Sequence, residues 1–202
     1  QDKPMDIFGG NWTGHFEKIK ENWRANVCEE DIVLIPGDIS WAMNLSDALT
    51  DLARLKDLPG KKVFIRGNHD YWWSGITSLR AAAPDDTFYF LQNDAVRRGS
   101  YVICGSRGWV CPGSAEYAEG DEKIYLREGE RFRLAFQSAQ KLREPGDKLV
   151  AMIHYPPFNG KKEPSVFTEM FEKNGVDCVV YGHLHRAAGA YPFACEREGV
   201  RY

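Results

Sequence analysis

Four of the chain's five histidines, His69, His154, His183 and His185, stand at the polar ends of short apolar runs, as do Asp38, Asn68 and Asp70. These are side chains that bind metal ions and move protons. A dinuclear hydrolytic centre needs imidazole nitrogens and carboxylate or amide oxygens converging on two ions about 3.5–4 Å apart, with one anionic oxygen able to bridge both. Asp38 offers a carboxylate, Asn68 a neutral carbonyl oxygen, and His154, His183 and His185 offer nitrogens. Gly37, Gly67 and Gly182 each directly precede one of these groups, and a residue without a side chain lets the backbone turn tightly beside a crowded site. Oxygen and imidazole donors with no thiolate suit two divalent ions, Mn, Fe or Zn, and Mg is also compatible. Taken alone, "RGNHDYWW" at residues 66–73 is an ordinary turn, since Gly and Asn tolerate positive φ and Asn and Asp side chains bond nearby backbone. Its company elsewhere in the chain makes it a candidate site.

Such groups matter only if the fold brings their strand ends together. Apolar, β-branched runs at 32–35, 63–65, 87–91, 101–104, 149–153 and 178–181, each followed by Gly or polar residues, read as strands. Helical spacing occupies 16–27, 46–58 with Ser46 as N-cap, 75–83, 121–143 and 165–174. Alternation of strand and helix indicates an α/β chain, and runs that are apolar throughout indicate strands covered on both faces. No repeat, low-complexity tract or linker interrupts residues 1–202, so one domain is expected. In open α/β sheets ligands collect beyond the carboxyl ends of strands, which is where the candidate residues fall. The Gly-rich segment 107–122 is the longest without periodicity and reads as either a lid or a surface excursion.

Composition narrows the classes. With 26 basic and 29 acidic side chains the formal net charge is −3, so no global field attracts nucleic acid or an anionic membrane. The basic doublets Lys61-Lys62, Arg97-Arg98 and Lys161-Lys162 read as solvated loop charges. The longest apolar run, 149–153, is far below the roughly 20 residues of a membrane-spanning helix. Five cysteines, an odd number without close pairing, read as reduced thiols in a cytoplasmic protein. The chain opens at Gln1 and not at a Met, which leaves room for an upstream segment.

In order along the chain, "GD" at 37–38, "GNHD" at 67–70, His154 and "GHLH" at 182–185 resemble the motifs of the calcineurin-like metallophosphoesterase superfamily, and its small bacterial-type phosphoesterases most closely. Each motif alone is weak, but four in order at strand ends are specific. The resemblance implies a two-sheet β-sandwich flanked by helices, a four-layer αββα fold, hydrolysing a small-molecule phosphomonoester or phosphodiester. It implies that Asp38 bridges two metals, that Asn68, His154 and His183 bind the second, and that His185 binds the first. It makes His69 a catalytic residue beside the scissile bond, with Asp70 setting its orientation and basicity. The chemistry implied is in-line attack of a metal-bound hydroxide, with a protonated imidazole neutralising the departing alkoxide.

The sequence also departs from that pattern. The family's first motif, an Asp and a His two residues apart at the end of the first strand, has no counterpart; Thr13 precedes His15 at that spacing, and His15 reads as a surface residue. Either the chain begins after that motif, which is the expectation, or it is a degenerate member that binds one metal and serves as a binding or regulatory module. The last residues read as the middle of a strand, so both ends look truncated. After "GD", Trp41 and Ala42 stand where phosphoprotein phosphatases carry an Asp and an Arg, which disfavours that branch. Arg66 and Arg107 either clamp phosphate oxygens or hold their loops. Trp41, Tyr71, Trp72, Trp73, Tyr155 and Phe158 form either a stacking rim or, as the favoured reading, packing between the two sheets.

Overall fold

The computed structural model describes residues 12–184 and 194–202. Side-chain alternation sets up its layers. Along β2 (Lys61–Ile65), Val63 and Ile65 join a core facing one way while Phe64 joins one facing the other. β3 (Phe88–Leu91) repeats this, with Tyr89 and Leu91 on the first side and Phe88 and Phe90 on the second. With β1 (Ile32–Ile35) these strands form a parallel sheet in the order β1-β2-β3.

The second sheet has the order β4-β5-β6-β7-β9-β8, from β4 (Asp94–Arg98), β5 (Tyr101–Ser106), β6 (Lys148–Ile153), β7 (Cys178–Tyr181), β8 (Glu196–Arg197) and β9 (Val200–Arg201). Its inner face gives Ile103, Val150 and Met152 to the core between the sheets, with Val63, Ile65 and Leu91 opposite. Its outer face gives Val102, Cys104, Ala151 and Ile153 to a third core beneath α4 (Asp121–Leu142) and α5 (Val166–Lys173), which supply Phe132, Phe136, Phe167 and Phe171. The outer face of the first sheet lies beneath α2 (Leu45–Ala53) and α3 (Ile76–Ala81), with Phe16 and Trp23 of α1 (His15–Asn26) packed against it. Helix, sheet, sheet, helix is the four-layer sandwich expected from the sequence. Each fully buried Val, Leu, Ile or Phe contributes about 1.5–3 kcal/mol, so three such cores supply the main driving force.

Register aligns the strand ends that carry the candidate residues. Ile35 pairs with Phe64 and Ile65 with Leu91 in one sheet, while Ile153 pairs with both Ser106 and Tyr181 in the other. The segments after β1, β2, β6 and β7 therefore leave the sandwich on the same edge.

Several local expectations need correction. Helix α2 begins at Leu45, capped by Asn44, whose side chain accepts the Asp47 amide at 3.0 Å, and not by Ser46. It ends at Ala53, after which Arg54, Leu55, Lys56 and Leu58 each bond the carbonyl three residues back, so apolar spacing continues through tighter turns. Strand β4 is missed from sequence because "DAVRR" carries no apolar face; it pairs antiparallel with β5 across Gly99-Ser100. The doublet Arg97-Arg98 is therefore part of a half-buried strand and not a loop. Lys62 is only 1 % exposed, with Nζ donating to Leu58 O at 2.5 Å and Thr87 Oγ1 at 3.2 Å. Trp72 and Trp73 are buried as packing residues, but under α2 and α3 and not between the sheets. Phe158 packs in the core beneath α4 and α5, and Tyr71 is exposed.

Candidate metal centre

Two loops from the first sheet lie directly on one another. Gly37 has φ 94° and Asp38 φ 58°, so the chain reverses through the left-handed region immediately after β1. A Cβ on Gly37 would sit 2.5 Å from Gly67 N and 2.8 Å from His154 Nδ1, a clash with backbone that cannot move aside. Absence of that side chain lets the loop after β1 touch the loop after β2. Asp38 Oδ1 then accepts the His69 amide at 2.8 Å.

Asp70, fully buried, ties these loops together. Its carboxylate accepts the backbone amides of Gly67 (2.7 Å), Asp38 (2.8 Å), Ile39 (3.0 Å) and Ser40 (3.3 Å), and the indole N–H of Trp72 (3.0 Å). From sequence Asp70 is expected to orient His69; the structure gives its oxygens to the loop backbones instead. Burial pushes its carboxyl up from the ordinary range, and the Gly67, Asp38 and Ser40 amides pull it back. All five donors are N–H groups, so the ionised form satisfies each of them, whereas a protonated Asp70 would set its O–H against a donor.

The second sheet brings the imidazoles. His154 follows β6, with its amide bonded to Arg107 O at 3.0 Å and its carbonyl accepting the Gly182 amide at 3.1 Å. His183 follows at φ 68°, a strained conformation for a non-glycine residue. Asn68 Oδ1 lies 2.6 Å from His154 Nε2 and 3.0 Å from His183 Nδ1. Asp38 Oδ2 lies 3.4 Å from His154 Nε2, and the donor atoms of Asp38, His154 and His183 all fall within 4.8 Å of one another.

Protons show what this cluster lacks. His154 Nδ1–H donates to Pro36 O at 2.7 Å, leaving a lone pair on Nε2, and burial holds this imidazole below the ordinary histidine range despite the nearby Asp38 carboxylate. His183 Nε2 lies 3.7 Å from a Glu116 carboxylate oxygen. The His154 Nε2 lone pair thus faces two acceptor oxygens, Asn68 Oδ1 and Asp38 Oδ2, with His183 Nδ1 against the same Asn68 oxygen. Acceptors this close repel unless a cation lies among them. The residues fit a divalent ion held by Asp38, Asn68, His154 and His183, with Pro36 O fixing the His154 tautomer from behind, as is usual for a metal-binding histidine.

The remaining candidates fall as follows. The ring of His69 is outside this cluster, stacked on Trp41 with centroids 5.5 Å apart and with Tyr71 Oη 3.5 Å from Nδ1. His185 lies outside the described residues. His15 opens α1, with Nδ1 3.2 Å from Trp12 O, and takes no part in the cluster. Glu116, from the aperiodic segment, escapes sequence reading, whereas Tyr155, one of the aromatics flagged there, sets its ring 4.4 Å from that of His183. Burial pushes the Tyr155 phenol up to about 12, so it stays protonated at neutral pH.

A family model for calcineurin-like phosphoesterases matches residues 6–187, most of the chain. The chain belongs to this family. Its members are generally hydrolytic phosphoesterases that bind divalent metals, which is the chemistry the convergent acceptors call for. No curated protein matches the sequence.

Proposed function

We propose that the chain is a dinuclear metal-dependent phosphohydrolase acting on a small-molecule phosphomonoester or phosphodiester, in the cytoplasm. The observation that carries this reading is the convergence of Asp38, Asn68, His154 and His183, with the Nε2 lone pair of His154 facing Asn68 Oδ1 at 2.6 Å and Asp38 Oδ2 at 3.4 Å. In this reading Asp38 would serve both ions and His185 would help hold the first. Bound divalent cations supply Lewis acidity toward the phosphoryl oxygens and lower the pKa of water held there. Asp38 also fixes the backbone beside His69 through its Oδ1. In this reading His69, whose ring stacks on Trp41, would give a proton to the leaving oxygen. The five cysteines, none of them paired, support a reducing compartment.

Metal analysis of the purified protein, combined with turnover of an aryl phosphate monoester and the corresponding diester, tests this reading. Two ions per chain and turnover of either ester are expected. One ion and no turnover would make the chain a metal-binding module instead.

A further inference from the structure

On the same edge of the sandwich, at the ends of β2, β3 and β5, a cavity of about 240 Å³ is lined by four arginines, Arg66, Arg107, Arg127 and Arg131. Arg66 and Arg107 come from strand ends, and Arg127 and Arg131 stand one turn apart on α4. Like charges at that helical spacing repel. The carboxylate bonded to them, among the described residues, is Glu128: fully buried, it accepts from Arg131 Nη1 at 2.5 Å and Arg107 Nη2 at 3.3 Å. Among the described residues, the Nε atoms of both Arg66 and Arg107 are buried without a hydrogen-bond partner. A buried N–H of a charged group left unpaired is costly. The cavity is thus built from forked donors and short of an acceptor with negative charge, in a chain whose net charge is −3. Guanidinium forks match the oxygens of phosphate-class anions, two bonds at a time.

Size and position narrow the occupant. The cavity is smaller than the roughly 300–1,000 Å³ of sites that enclose whole drug-sized ligands, so it suits one anionic group. Arg66 directly precedes Gly67-Asn68, and Arg107 O holds the amides of His154 (3.0 Å) and Tyr155 (3.3 Å). The lining is thus fastened to the loops that carry the metal-binding residues.

We propose that this cavity is an oxyanion subsite that takes a second, non-scissile phosphate-class group of the substrate. Assigning that group to the substrate rests on the phosphoesterase reading; the affinity of the cavity for an oxyanion does not. The substrate class is therefore an ester carrying a further phosphate, with the scissile group at Asp38, Asn68 and His183 and the other among the arginines.

The test combines calorimetry and kinetics on the metal-loaded protein. Inorganic phosphate is titrated into wild type, Arg127→Gln and the Arg127→Gln/Arg131→Gln double variant; Arg127 is exposed, so the single variant guards against a folding defect. Loss of one class of phosphate sites, or at least tenfold weaker binding there, is expected in the double variant with a smaller change in the single, and identical isotherms would overturn the proposal. Kinetically, the wild-type ratio of kcat/KM for a bisphosphate over its matching monophosphate should exceed ten and collapse toward one in the double variant. A wild-type ratio near one, with phosphate binding still arginine-dependent, would overturn the substrate assignment and make free phosphate the occupant. If wild type turns over neither ester, the phosphoesterase reading fails while the isotherms still decide the cavity.

Discussion

Two neighbouring regions on one edge of the sandwich lack charges of opposite sign. At the ends of β1, β2, β6 and β7, the acceptors Asp38 Oδ2, Asn68 Oδ1 and His154 Nε2 face one another beside His183. At the ends of β2, β3 and β5, four arginines point donors into a cavity, with Glu128 bonded to two of them. A folded protein keeps buried polar groups paired because an unpaired one costs about 1–3 kcal/mol. Two adjacent clusters that violate this rule in opposite senses are arranged for a cation and for an anion. A divalent cation would answer the first and a phosphate-class anion the second.

The largest effect expected is at the acceptor cluster. Asp38→Ala removes its only carboxylate among the described residues and should strip the protein of metal and lower turnover by about three orders of magnitude or more. Metal analysis and calorimetry on the same sample sharpen the contrast, because the arginine cavity should retain its phosphate affinity. Joint loss of metal and phosphate binding would merge the two regions into one.

Next is His69→Ala. With the His69 ring outside the cluster, metal content should stay near wild type while kcat falls by about a hundredfold. A proton donor matters most when the leaving oxygen is strongly basic, so the loss should be larger for an alkyl phosphate than for an aryl one. Equal metal loss in His69→Ala and Asp38→Ala would remove the distinction between ligand and proton donor.

How much of this was readable in advance follows from the kind of signal each feature leaves. Val63, Phe64 and Ile65 form an unbroken apolar run, and the structure buries alternate residues in different cores, so both the strand and its two-sided cover were legible. The ordered strand-end motifs likewise marked the residues that converge. Strand β4 was not legible, because its stability comes from pairing with β5 and from ion pairs of Arg97, neither of which leaves a periodic pattern. The arginine cavity was half legible. Arg66 and Arg107 stood out beside motifs, but Arg127 and Arg131 look like ordinary solvated helix charges until the fold sets α4 against β4 and β5. Asp70 shows the limit most clearly: its neighbour in sequence is His69, whereas its bonds run to amides as far away as residue 38.

Asp70→Asn probes the platform common to both regions. It replaces one acceptor oxygen by an amide N–H facing other N–H donors, a cost of about 2 kcal/mol. For a chain of this length that is a fall in Tm of about 4–8 °C, measurable by thermal unfolding monitored by circular dichroism. The variant should also bind metal more weakly, because the Asp38 and Gly67 amides lose their common anchor. An unchanged Tm with reduced kcat would return Asp70 to the service of His69.

The smallest effect separates matched from unmatched arginines. Arg97, on β4, meets two carboxylates: Nε donates to Asp147 at 2.7 Å and Nη2 to Glu144 at 2.8 Å. The Arg97 guanidinium and the Glu144 amide hold the Asp147 carboxyl below its ordinary value of 3.8. A depressed acid stabilises the folded state fully above its unfolded pKa and loses that contribution as pH falls through the folded value. The Tm difference between wild type and Arg97→Ala should therefore be constant at neutral pH and shrink below about pH 4. In the arginine cavity the deficit is of carboxylates, so added phosphate and not acid should be the variable that changes its stability at neutral pH. A Tm gap at Arg97 that persisted unchanged to about pH 2 would show that its value lies in packing of the guanidinium stem, and would weaken charge matching as the property that distinguishes the two arginine clusters.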